Sequence, residues 1–168
     1  MTAVEEAPPG FHARFNARSK TYRYVIDNRS IASPFDRAYS WHIPEPLNAA
    51  VMRDAAIALV GTHDFACFRS AGTDVTTTVR TITRSEVLVS PHEIPGVEHS
   101  EARYRIVYEV SGDGFLRHMV RAIAGTLAAV GRGARPASSM AALLAAGGRA
   151  QAGPTAPRAG SLPGPGGL

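Results

Sequence analysis

The sequence predicts an α+β domain with a mainly antiparallel sheet and helices on one face. Three observations carry this expectation. Thr21–Asp27, Arg80–Ser90 and Ala102–Ser111 are strand-like segments, the first and last alternating at every second residue. The loop between the last two contains Pro95-Gly96, a turn signal that makes these strands antiparallel neighbours. Apolar rows at helical spacing then occupy Leu47–Val60 and Phe115–Val130.

In chain order, Tyr22, Tyr24 and Ile26 fall on one side of the first strand, with Arg23 and Val25 on the other. Pro34, Pro44 and Pro46 punctuate the connection that follows. The first helix carries the rows Val51, Ala55, Leu59 and Met52, Ala56, Val60, and Gly61 is its expected stop. Tyr104, Ile106, Tyr108 and Val110 oppose Arg103, Arg105, Val107 and Glu109 in the last strand. In the second helix Leu116, Val120, Ile123 and Leu127 line one side, and Asp113 is the expected N-terminal cap. Ser139–Ala146 is expected to be a short third helix. Residues 1–10 are expected to be a leader, 11–152 the folded domain, and 153–168 a Gly/Pro-rich tail unable to supply a strand.

At 168 residues and 45% hydrophobic content, the chain can bury one core. Lys and Arg outnumber Asp and Glu by 18 to 14, for a net charge of +4 and a pI near 9.7. That balance permits a polyanionic partner without requiring one. The single cysteine, Cys67, excludes an internal disulfide framework and points to a reducing, cytoplasmic compartment. Zinc-ligand spacing, a signal-peptide layout and an apolar run of about 20 residues are all missing, so no metal and no membrane are expected.

Two stretches stand out chemically. One is Phe11-His-Ala-Arg-Phe-Asn-Ala-Arg-Ser-Lys-Thr-Tyr-Arg-Tyr-Val-Ile26. The other is Phe115-Leu-Arg-His-Met-Val-Arg-Ala-Ile-Ala-Gly125, entered from a Gly112-Asp-Gly turn. On residues alone, Arg117 and Arg121 form a cationic helix face, Tyr22 is half-buried strand packing, and Arg14, Arg18, Lys20, Arg23, Arg29 and Arg37 are surface charge available to phosphates. His63-Asp-Phe-Ala-Cys67 gathers an imidazole, a carboxylate and a thiol, but not at metal-site spacing.

Taken together, and with Thr78-Val-Arg-Thr-Ile82 in register between them, these stretches resemble the second half of TruA-family tRNA pseudouridine synthases from about Phe11 to Pro157. The resemblance implies isomerisation of uridine in the tRNA anticodon arm, no cofactor, and a homodimer. It implies that Arg121 pairs with the catalytic aspartate, a task suited to a permanently charged, forked guanidinium. It places Tyr22 beside the target uridine, with Arg14, Arg18, Lys20, Arg23 and Arg117 toward the RNA. His63-Asp-Phe then becomes structural, with Asp64 bonding local backbone and Phe65 and Phe68 filling the core.

The aspartate itself lies, in such enzymes, in a Gly-Arg-Thr-Asp-x-Gly-Val-His segment well before the Phe-His-Ala-Arg element, whereas ten residues precede Phe11 here. Ala71-Gly-Thr-Asp-Val75 lacks the arginine of that motif, so Asp74 is expected to be a loop residue. The expectation is a C-terminal fragment inactive by itself. The alternative from another class is a non-catalytic tRNA- or RNA-binding module, or a gene remnant.

Overall fold

The computed structural model describes residues 6, 8–10, 12, 18–70, 72, 75–91, 104–147 and 152–163. Arg14 and Asp74 lie outside them, as does most of the expected leader and the 95–96 turn. The strands are β1 (Lys20–Asn28), β2 (Trp41–His42), β3 (Gly61–Asp64), β4 (Val79–Pro91), β5 (Tyr104–Gly112) and β6 (Ser161–Pro163). The helices are α1 (Ala49–Ile57), α2 (Met119–Gly131) and α3 (Ser139–Ala146).

The sheet runs β2-β1-β5-β4-β3, with β6 also on β1. Among the described residues only β1 and β2 pair in parallel; β1 with β5, β3 with β4, and β4 with β5 are antiparallel. The expected α+β class and the β4–β5 pairing are both present. Alternation sets the helix-facing side: Tyr24, Ile26, Ile106, Tyr108, Val110 and Val87 are all buried there. Burial of each such side chain contributes on the order of 1.5–3 kcal/mol. α1 packs on β4 and α2, α2 on β1, and α3 on α1 and β3.

The opposite face carries a charge ladder. Glu109 is directly opposite Arg23 on β1 and opposite Glu86 on β4. Two carboxylates facing each other across strands repel. Arg84 resolves the conflict, donating from Nη1 to Glu109 Oε1 at 2.5 Å and from Nη2 to Glu86 Oε2 at 2.7 Å. With Arg23 on its other oxygen, Glu109 is satisfied although only 3% exposed.

Several local expectations need correction. α1 starts at Ala49, two residues late, because the Asn48 side chain accepts from the amides of Ala50 and Val51 and fixes the start there. It ends before Gly61, whose φ of +114° opens β3, a strand too short to show a sequence pattern. α2 starts at Met119 rather than Phe115, so Arg117 lies in the preceding turn and shares no helix face with Arg121. Asp113 caps nothing; its carboxylate accepts from the Thr81 amide at 3.1 Å, tying the turn after β5 to β4. Gly112 is required in that turn, since a Cβ would stand 2.6 Å from the Thr81 carbonyl oxygen.

The largest correction concerns residues 153–163. β6 pairs antiparallel with β1, Tyr22 opposite Pro163 and Tyr24 opposite Ser161, so the supposed tail does supply a strand. Proline is tolerated at the end of a three-residue edge strand, where a lost amide costs no central ladder bond. Before it, residues 153–157 cross α2: the Gly153 amide donates to Thr126 Oγ1 and the Ala156 amide to the Arg121 carbonyl. This crossing segment, together with the sheet and α1, explains why α2 is buried nearly all round rather than presenting a wet face.

Candidate functional site

A cleft of about 250 Å³ opens at the start of α2, lined by Tyr22, Phe115, Leu116, Arg117, His118 and Arg121, among others. Each arrives by a different route. Tyr22 comes from β1 on the helix-facing side, half-buried, its ring edge-on to Phe115 with centroids 5.1 Å apart. Phe115 to His118 come from the turn that Gly112 and Asp113 anchor to β4. Arg121 comes from the first turn of α2.

His118 joins the turn to the helix. It adopts φ 61°, the sole non-glycine residue at positive φ among the described residues. A side chain in the left-handed region is strained unless its surroundings hold it there. Its Nδ1 lies 2.8 Å from Ser70 Oγ, a contact from beyond the turn that anchors the ring. The imidazole is held below its ordinary range, first by partial desolvation and then by the cations of Arg121 and Arg117. No sequence pattern signals a left-handed hinge in a non-glycine residue.

Arg121 is half-buried and pairs with no carboxylate among the described residues. Its Nε donates to the Ala156 carbonyl at 2.7 Å. Arg117 is exposed at the cleft. Thus the structure brings together Tyr22, Arg117 and Arg121, though not by the shared helix face that the sequence indicated.

The remaining basic residues divide. Arg18 is exposed and Lys20 half-buried, Lys20 lying opposite Gly112 near the cleft. Arg23 points away from Tyr22 to the other face and is bound to Glu109. Arg29 is buried between Asp27 and Asp36, and its hydrogen bond to Asp27 is the main cause holding its pKa above the ordinary value. Arg29 is therefore a structural cation, not a surface one. His63-Asp-Phe-Ala-Cys67 is structural too: Asp64 accepts from the Ala66 amide and the Thr78 hydroxyl, and Phe65, Cys67 and Phe68 are fully buried. Among the described residues, no group of three or more His, Cys, Asp or Glu is placed to hold a metal ion. No helix among them is long and apolar enough to cross a membrane.

The class this defines is a helix-backed, mainly antiparallel sheet domain with a cleft at the start of α2 where Tyr22 and Phe115 meet Arg117 and Arg121. The particular relationship comes from sequence comparison. A family model described as tRNA pseudouridine synthase matches residues 55–162, and the chain belongs to that family. It is 44% identical over 161 residues to tRNA pseudouridine synthase A of Syntrophotalea carbinolica, covering 94% of this chain and 59% of the relative. Identity to the enzyme of the same name from Geobacter sulfurreducens is 42%, with the same coverage. For Moorella thermoacetica it is 41%, covering 95% of this chain and 60% of the relative. The chain therefore spans about three-fifths of the length of these relatives.

Proposed function

We propose that this chain is the arginine-bearing C-terminal lobe of a TruA-type tRNA pseudouridine synthase, which isomerises uridine in the tRNA anticodon arm. The observation that carries the reading is the convergence of Tyr22, Arg117 and Arg121 on one cleft in a member of this family. The lobe begins near residue 11 and includes the α2-crossing segment and β6.

The reaction breaks the bond from uracil N1 to ribose C1′, turns the base and joins C5 to C1′; C5 gives up its proton and N1 takes one up. Atoms balance without a co-reactant, and the chemistry calls for an aspartate acting as nucleophile or base. In this reading that aspartate comes from the part of the relatives' length that the present chain does not span. Arg121 holds it by charge-assisted hydrogen bonds. Tyr22, backed by Phe115, offers an aromatic face to the extruded base. Arg117, Lys20 and Arg18 contact backbone phosphates, with Arg14 as a further contact. Arg23 contributes only if RNA also reaches the opposite sheet face, where Glu109 competes for it. The homodimer and the cytoplasmic location expected of such an enzyme belong to the same proposal.

Two assays on the purified chain test it. Binding to unmodified tRNA should weaken steeply between low and moderate salt and fall further in Arg117→Ala and Lys20→Ala. Tritium release from tRNA labelled at uracil C5 should be absent with the chain alone. Salt-insensitive binding, or none from a folded sample, would overturn the RNA reading. Turnover by the chain alone would show that it supplies its own aspartate. Salt-dependent binding that leaves Tyr22→Ala and Arg121→Ala unaffected would favour a non-catalytic RNA-binding module.

A further inference from the structure

We propose that the segment from Gly153 to Ala159 is a positioning device for Arg121, and that Tyr24 is the side chain that secures it. The role of Arg121 in an active site rests on the function proposed above; the device itself does not. Arg121 and Ala156 are bonded reciprocally. The Arg121 carbonyl accepts from the Ala156 amide at 3.0 Å, and the Arg121 Nε donates to the Ala156 carbonyl at 2.7 Å. A helix residue is thereby held by its backbone and its side chain to a single residue of another segment, through two successive peptide groups, and the Nε bond orients the guanidinium plane.

The segment is itself fastened on both sides. Upstream, the Gly153 amide donates to Thr126 Oγ1, while Thr126 Oγ1 donates to the Ala122 carbonyl. Downstream, the fully buried Tyr24 hydroxyl points at the Pro157 and Ala159 carbonyls, at 2.7 and 2.9 Å. Burial raises the Tyr24 pKa, so the phenol stays protonated and remains a donor. The next residue, Gly160, accepts from the Val25 amide at 2.7 Å, continuous with the β6 pairing.

The geometry has a chemical consequence. With Nε committed to Ala156, Arg121 meets a carboxylate only through its two terminal nitrogens, end-on. The alternative side-on fork, which uses Nε and one terminal nitrogen, is closed. Tyr24 is therefore a positioning residue acting through the Ala156 peptide, in contrast to its neighbour Tyr22, which lines the cleft.

The test is side-chain NMR of arginine Nε–H groups in the purified chain, without tRNA. Arg53 is an internal reference, because its Nε donates to the Val87 carbonyl in a different part of the fold. The Arg121 Nε–H should exchange with water at least ~10-fold more slowly than that of the exposed Arg117. Tyr24→Phe should accelerate Arg121 exchange about 5-fold, the population shift expected from one ordinary hydrogen bond, and leave Arg53 unchanged. Exchange at Arg121 as fast as at Arg117, or insensitive to Tyr24→Phe, would overturn the proposal. So would equal acceleration at Arg53, which marks general loosening. Pro157→Ala, which keeps the accepting carbonyl, should leave Arg121 exchange within about twofold of wild type, and a larger change would count against the Tyr24 contact as the fastener. Since none of these readings involves RNA, failure here is distinct from failure of the tRNA proposal.

Discussion

Gly125→Ala separates two opposing forces in α2. In a helix interior, replacing Gly with Ala ordinarily stabilises by about 1 kcal/mol. At this position a Cβ would stand 1.8 Å from the Pro154 carbonyl oxygen, whereas ordinary C···O approaches begin near about 3.3 Å. The crossing segment would have to retreat by about 1.5 Å. Such a shift takes the 3.0 Å bond from the Ala156 amide to Arg121, the 2.7 Å bond from Arg121 Nε, and the 3.1 Å bond from the Gly153 amide beyond bonding range. At roughly 1 kcal/mol for each of these three bonds, plus about 1 kcal/mol for re-exposed apolar surface, less the propensity gain, the net loss is about 3 kcal/mol. Urea unfolding followed by circular dichroism, for wild type and variant side by side, measures it. A variant as stable as wild type, or more so, would refute the reasoning, because propensity would then have outweighed the contact.

Other perturbations probe different parts. Glu109→Ala should destabilise by about 1–2 kcal/mol in thermal or urea unfolding, since it removes charge-assisted bonds to both Arg23 and Arg84. Glu86→Ala should leave the unfolding midpoint essentially where it is in wild type, because its pair with Arg84 is open to solvent on both sides; equal effects would contradict the ladder. His118 should titrate below the ordinary 6.5 when followed by its ring proton resonance, and Arg121→Ala should raise that value more than Arg117→Ala. Between the two values the unfolded chain binds more protons, so this contribution to stability is fully present above 6.5 and is lost as pH falls through the depressed folded value. His118→Gly should relieve the left-handed strain yet lose the Ser70 contact, leaving stability within about 1 kcal/mol of wild type. A loss beyond about 2 kcal/mol would show that the ring carries more than this one contact.

What the amino-acid order determined by itself are the features that repeat along a short stretch. The alternation in β1 and β5, the Ala/Leu run of α3 and the family resemblance of the two motif segments need no knowledge of distant residues. Arg121 and Tyr22 were legible as candidates for the same reason: each sits in a local motif. Tertiary structure alone decided where α2 begins, because Asp113 was drawn to the Thr81 amide and a left-handed His118 was held by Ser70, 48 positions away. It also removed Arg23 and Arg29 from the free cations, since their carboxylate partners share no sequence pattern with phosphate binding. The clearest case is residues 153–163, which composition assigned to a structureless tail. Gly and Pro are poor strand formers because they gain little from their own backbone. Gly125, Thr126, Tyr24 and the open edge of β1 supply what the segment lacks, from positions 27 to 141 residues distant. Local propensity is worth tenths of a kcal/mol to about 1 kcal/mol per residue, and several long-range hydrogen bonds and a close helix contact together exceed it.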